Sequence, residues 1–261
     1  MRYDHSRSFG GQAETYARHR PTWPPSLFDW LAEQAPSRRF AIDVATGPGQ
    51  GALGLAERFD RVLAVDQSAE LLAQVPAHPR VRLAVADALA LDRALLADEP
   101  LADAVIVLQA LHWFAGEAFN AAVDRALAPG GLFLAAVYAW FNMSPEIDQL
   151  LEERLLRPLQ PHWSPRTQLL LDGYRTLSFP WPELEGPPLT LELEWTREQL
   201  LAYLGTWSAV AHLREVEGRD IVAEVAEPLA TLWPDAGARV VRMPVWLRAF
   251  RKPLRSPAVG S

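Results

Sequence analysis

Three aspartates, a glycine-rich segment and one histidine hold most of the chemistry in this 261-residue chain. Gly47-Pro48-Gly49-Gln50-Gly51-Ala52 joins an apolar run, Phe40 to Ala45, to a stretch of helical composition, Ala52 to Phe59. Glycines at such a junction let backbone pass close to a ligand, and the helix start offers unpaired N–H groups and the positive end of a dipole. The segment satisfies G-x-G-x-x-A, with Asp66 at the offset of about 20 residues that a dinucleotide site uses. Asp43, however, lies inside the first run, four positions before Gly47. A pyrophosphate has no use for that acid, whereas an ammonium or sulfonium does. Asp87 closes a third apolar run, and in a parallel sheet ligands bind outside the carboxyl ends of the strands. Asp43, Asp66 and Asp87 are therefore expected to meet at one cleft suited to a cationic ligand. Gln109-Ala110-Leu111-His112-Trp113-Phe114 ends a fourth run and brings a histidine to the same edge.

The elements that must position these groups alternate. Strands are expected at Phe40 to Ala45, Arg61 to Asp66, Val81 to Val85, Asp103 to Leu108 and Leu132 to Tyr138, with helices between them. Near-continuously apolar strands alternating with helices imply a parallel sheet covered on both faces. Ser68 is placed to cap a helix carrying Leu71 and Leu72, and Ala128-Pro129-Gly130-Gly131 stops the helix before the fifth strand. After Tyr138 the rhythm breaks into a Pro- and Trp-rich segment of a length that is usually functional, often a lid. Leu189 to Trp195 then alternates with period two. Helices are expected around Leu200, Leu204 and Trp207 and around Ile221 to Leu232. A last strand runs from Arg239 to Phe250, with Pro244 suggesting an edge position or a bulge.

Composition narrows the function. There is no cysteine, which excludes disulfides, thiolate-bound metals and thiol catalysis. The net charge of −7 argues against general affinity for phosphate backbones. No apolar run reaches membrane-spanning length, and Met1 to Arg7 is too polar for a signal peptide; a cytoplasmic protein with no membrane or nucleic-acid partner is expected. The six histidines show no metal-ligand spacing, so no metal is expected.

Asp43-Val44-Ala45-Thr46-Gly47-Pro48-Gly49, Asp66, Asp87-Ala88 and Ala128-Pro129-Gly130-Gly131 resemble the motifs of the class I S-adenosylmethionine-dependent methyltransferases. Tyr16 to Pro24, His112-Trp113-Phe114 and Thr206-Trp207-Ser208 resemble, more narrowly, the trans-aconitate-methyltransferase-like group. The resemblance implies an α/β Rossmann-like, doubly wound sheet of seven strands, parallel except for the last. It divides the chain into an N-terminal lid (1–38), a cofactor-binding core (39–138), an inserted cap (139–188), the rest of the core (189–252) and a flexible tail (253–261). S-adenosylmethionine would be held by Tyr16, Arg20, Asp43, Ala45, Gly47, Gly49, Asp66, Gln67, Asp87, Ala88 and Gln109, and would leave as S-adenosylhomocysteine. A small acceptor would lie against Trp23, Trp113, Trp140 and Tyr174, with His112 as the catalytic residue. Ala45 stands where the family usually has its first glycine, which is tolerable if the backbone there is not left-handed.

Two acceptor chemistries follow. A carboxylate is already ionised and needs arginine clamps, for which Arg20, Arg166 and Arg175 are candidates; this is the case the narrower resemblance favours. A hydroxyl, amine or carbon would use His112 as base. A dinucleotide-dependent dehydrogenase and a non-catalytic binder of the cofactor complete the readings, and the protein is expected to work as a monomer or homodimer.

Overall fold

The computed structural model describes residues 21–138 and 140–254. Tyr16, Arg20 and the first half of the expected lid lie outside the described residues, as do Ala139 and the tail from 255. The described chain opens with α1 (Pro25–Gln34), where a proline at the helix start sits on a pre-set φ, and Leu27, Phe28 and Leu31 are buried. Four strand–helix units and a fifth strand follow: β1 (Phe40–Val44), α2 (Gln50–Ala56), β2 (Arg61–Asp66), α3 (Ala69–Leu72), β3 (Val81–Val85), α4 (Arg93–Leu96), β4 (Ala102–Leu108), α5 (Glu117–Ala126) and β5 (Leu127–Tyr138). Ser68 caps α3 as expected, its hydroxyl accepting the Leu71 N–H. A single 3-10 turn, Leu111–Trp113, separates β4 from α5. Beyond β5, α6 (Pro145–Leu151) runs through a π turn, Glu152–Leu156, into α7 (Arg157–Leu159), and α8 (Thr167–Leu171) follows. The chain ends with β6 (Glu183–Leu184), β7 (Leu189–Trp195), α9 (Arg197–Gly205), α10 (Ser208–Glu217), α11 (Ile221–Leu232) and β8 (Arg239–Arg251).

The strand order is β3-β2-β1-β4-β5-β8, with β6 and β7 both on the far edge of β8. β1 to β5 are parallel and β8 alone is reversed. The sheet thus has eight strands where seven are expected. Glu185-Gly186-Pro187-Pro188 divides the far edge into β6 and β7, because two consecutive prolines supply no N–H to a ladder. Pro244 does not put β8 on an edge either. Arg242 exchanges N–H and C=O with Asn142 on the β5 side, and Lys252 does so with Gly131 and Gly130. Pro244 has the same parity, so its missing N–H falls on the β5 side, beyond Tyr138, the last residue of β5. Two further differences concern turns. Ala128 to Gly131 is absorbed into β5 beside a register shift with β4, and Trp207 does not extend α9 but precedes a separate helix, α10.

Period two along the strands divides the core between the two faces. Ala41, Val62, Ala104, Ile106 and Leu134 pack on one face with α1 and α2. Phe40, Ile42, Val65, Val105 and Phe133 pack on the other with α5, Tyr174 and Trp181. No helix of the described residues is long and apolar enough to cross a membrane.

Candidate active site

The glycine segment bends at the carboxyl end of β1 and is held there by two acids. Asp66, the last residue of β2, accepts the Gly47 N–H at 2.8 Å through Oδ2 and the Ser68 N–H at 2.9 Å through Oδ1. One carboxylate therefore fixes both the loop after β1 and the start of α3. Burial raises its pKa, opposed by these backbone donors. Each oxygen keeps acceptor capacity for a ligand hydroxyl. Asp43 points to the α2 side of the sheet and is 1% exposed. Its Oδ2 accepts from the Thr46 hydroxyl at 2.5 Å, while Oδ1 has no hydrogen-bond partner among the described residues. Burial pushes Asp43 up to about 7, against the pull of the Thr46 hydroxyl and the Ala52 N–H, and the nearby Asp66 charge adds to the rise. Gly51 is obligatory beside it, since a Cβ there would stand 2.5 Å from Asp43 Oδ2.

Ala45 is left-handed, with φ +56°, as are Gly47 at +56° and Gly49 at +86°. The condition set for tolerating Ala45 is not met: the methyl group sits on a backbone conformation that costs an L-residue about 1–2 kcal/mol. The Asp66 anchor on Gly47 and the Thr46 N–H bonded to the Val65 carbonyl hold the strained turn from both sides.

Asp87 lies two residues past β3, exposed, with Oδ1 capping the Leu89 N–H at 2.8 Å. Gln67 is exposed beside Asp66, and Ala88 is half-buried beside Asp87. Asp43 and Asp66 thus lie within the last two residues of adjacent strands, and Asp87 lies two residues beyond the strand it was expected to close. Gln109 is spent differently. At φ +62° its side-chain amide donates to the Tyr138 carbonyl at 2.8 Å and accepts the Tyr138 N–H at 3.2 Å. It extends the β4–β5 ladder by one side-chain rung and turns the chain into the Leu111–Trp113 turn.

That turn buries His112, whose Nδ1 lies 3.3 Å from the Tyr174 hydroxyl. Trp113 packs on the His112 ring at 4.4 Å and is half-buried. Tyr174 has no exposed surface, sits at φ +60°, and has its phenol pushed well above the ordinary range by burial. Arg166 donates to the Trp113 carbonyl, whereas Arg175 is turned to the Asp172 carbonyl at 3.0 Å. Trp23 packs against Tyr138 at 5.3 Å, and Trp140 lies 5.9 Å from Trp207, which in turn meets Trp163 at 5.6 Å.

Sequence reasoning passed over Arg248. Its Nη1 donates to the Tyr174 and Leu177 carbonyls at 2.6 and 2.7 Å, and its Nε and Nη2 grip Glu183 at 2.7 and 2.8 Å. The Arg248 contact lowers the Glu183 pKa. An arginine inside the apolar run Val245-Trp246-Leu247-Arg248-Ala249-Phe250 was the available signal, since a partly buried guanidinium requires acceptors.

These residues fit a cationic adenosine ligand: a buried acid with one unpartnered oxygen, a second acid with spare acceptor capacity, and an open, left-handed glycine turn at a helix start. A methyltransferase-domain family model matches residues 42–135. A structure provisionally named a type II methyltransferase, from Anaeromyxobacter dehalogenans, is 40% identical, with 90% of this chain and 99% of that one covered and a TM-score of 0.81. A Dictyostelium discoideum protein provisionally named a methyltransferase is 22% identical over 94% of each chain. An uncharacterized methyltransferase of Schizosaccharomyces pombe is 27% identical, over 87% of this chain and 88% of its own.

Proposed function

The chain belongs to the class I S-adenosylmethionine-dependent methyltransferases, and on that premise we propose that it forms methyl esters on a small carboxylate, in the manner of the trans-aconitate-methyltransferase-like group. The dinucleotide and silent-binder readings fall with this membership. S-adenosylmethionine supplies a methyl group already activated by its sulfonium and leaves as S-adenosylhomocysteine. The acceptor oxygen gains the C–O bond without losing a proton, so the protein's task is to orient the reactants and exclude water.

Asp43 is assigned to the cationic end of the donor, with its ionised form favoured by that charge. Asp66 is assigned to the ribose hydroxyls, Asp87 and Ala88 to the adenine side, and Gly47 and Gly49 to close backbone approach. Ala45 and Gln67 flank that contact, and Gln109 shapes it through its rung to Tyr138. Trp23, Trp113 and Trp140 are assigned to the walls of the acceptor site. Tyr174, with no exposed surface, acts through His112.

The observation that carries the carboxylate reading is Arg166. Its guanidinium is anchored on the Trp113 carbonyl, one residue from His112, and its other N–H donors suit a planar carboxylate. A panel of small di- and tricarboxylic acids, each paired with its amide, tests the reading. Turnover of acids but not amides supports it; turnover of hydroxyl or amine compounds in preference to acids overturns it.

A further inference from the structure

We infer that Tyr174 is a positioning residue that locks the neutral His112 ring with its proton on Nε2, so that His112 serves the reaction as a hydrogen-bond donor and not as a base. This rests on the methyl-transfer reading and sharpens the choice of acceptor within it.

The Tyr174 hydroxyl stands 3.3 Å from His112 Nδ1, with the two rings stacked 22° from parallel at 6.4 Å. The phenol is fully buried, so its O–H needs an acceptor, and among the described residues His112 Nδ1 is the atom its hydroxyl meets. A proton on Nδ1 would leave the phenol O–H buried without an acceptor. A phenol held this far from ionisation keeps that proton. Nδ1 is then an acceptor, and the single proton of the neutral imidazole resides on Nε2. A ring in that state cannot take a proton at Nε2, which an alcohol or amine acceptor would require of it. It can donate to an anionic oxygen.

Tyr174 is held in place at some cost. Its φ of +60° is unfavourable for a bulky residue, and the restraint comes from Arg248, which binds the Tyr174 carbonyl at 2.6 Å while gripping Glu183 with its other nitrogens. A tyrosine that merely filled the core would need neither the turned backbone nor the hydroxyl.

The decisive experiment is long-range proton–nitrogen spectroscopy of the full-length enzyme labelled with nitrogen-15 histidine, with His112 assigned by its loss in His112→Gln. A single Nε2–H tautomer is expected in the wild type, and a mixture with Nδ1–H in Tyr174→Phe. A wild-type Nδ1–H signal, or a mixture unchanged by Tyr174→Phe, overturns the inference, and the wild-type spectrum decides even if the variant folds poorly. Activity gives a second reading. Tyr174→Phe is expected to lower kcat about three- to tenfold, and His112→Gln, which keeps a donor, to stay within about tenfold of wild type. A His112→Gln loss as severe as that of His112→Ala contradicts the donor role. Product chemistry is read separately: a base-stable product with the Nε2–H tautomer intact removes the carboxylate reading and leaves the lock, whereas an ester product with the wrong tautomer does the reverse.

Discussion

The two halves of the candidate site are built by opposite means. On the donor side, at the ends of β1 to β3, each acid sits on or just past its own strand, and its polar partners lie in adjoining turns: Asp43 with Thr46, Asp66 with Gly47 and Ser68, Asp87 with Leu89. On the acceptor side, the groups come from segments far apart in sequence. His112 meets Tyr174 across 62 residues, and Tyr174 meets Arg248 across 74. The donor half is a property of local turns, the acceptor half of tertiary packing. Damage to one should therefore leave the other largely intact.

The largest effect is expected from Asp66→Ala. Removing this carboxylate strips the acceptor from two backbone N–H groups and is expected to cost about 2–4 kcal/mol of stability. Thermal unfolding would show it, and calorimetric titration should show S-adenosylhomocysteine binding weakened by more than about a hundredfold. Arg248→Ala should instead cost about 2–3 kcal/mol, most of it from the two lost carbonyl bonds, since the Glu183 partner is half exposed. Its S-adenosylhomocysteine affinity should stay near wild type while kcat falls. Equal losses of affinity in the two variants would erase the distinction between the halves.

A pH titration sharpens the donor side. Asp43 is raised from 3.8 to about 7 in the fold. Between those values the folded state holds a proton that the unfolded chain has released, so this group's contribution to stability is full below about pH 4 and is lost as pH rises through about 7. Donor binding runs the other way. A cation favours the carboxylate, so S-adenosylmethionine affinity should rise about tenfold between pH 6 and pH 8, with proton release, as the ionised fraction grows. Asp43→Asn should bind weakly and without that slope. The smallest effect expected is from Ala45→Gly, which relieves the left-handed strain and should raise stability by about 1 kcal/mol in denaturant unfolding, offset in part by the greater freedom of the unfolded chain.

The same contrast explains what could be read from the sequence. The first four strands, the glycine turn after β1 and the Ser68 cap are local patterns, legible from neighbours a few positions away. Ala45 shows the limit even there: residue type suggested an ordinary backbone, and only the bonds from Thr46 and Gly47 to β2 reveal the left-handed one. The division of the edge into β6 and β7 was marked by Pro187-Pro188, but pairing of both pieces with one strand is a tertiary fact. Tyr174 looked like a pocket aromatic because sequence does not say which side of the sheet a loop residue will enter. Arg248 showed only as an oddity in an apolar strand, its partners unknowable before Glu183 and Tyr174 were folded against it.

The central claim is methyl transfer to a carboxylate at a site whose donor half is held by Asp43 and Asp66 and whose acceptor half is set by Arg166 and His112. Incubation of the enzyme with methyl-tritiated S-adenosylmethionine and small organic acids, followed by mild base, tests it most directly. Tritium released as volatile methanol, absent without enzyme and reduced about tenfold in Arg166→Ala at low acid concentration, is the expected result. Tritium retained in a base-stable product would contradict it.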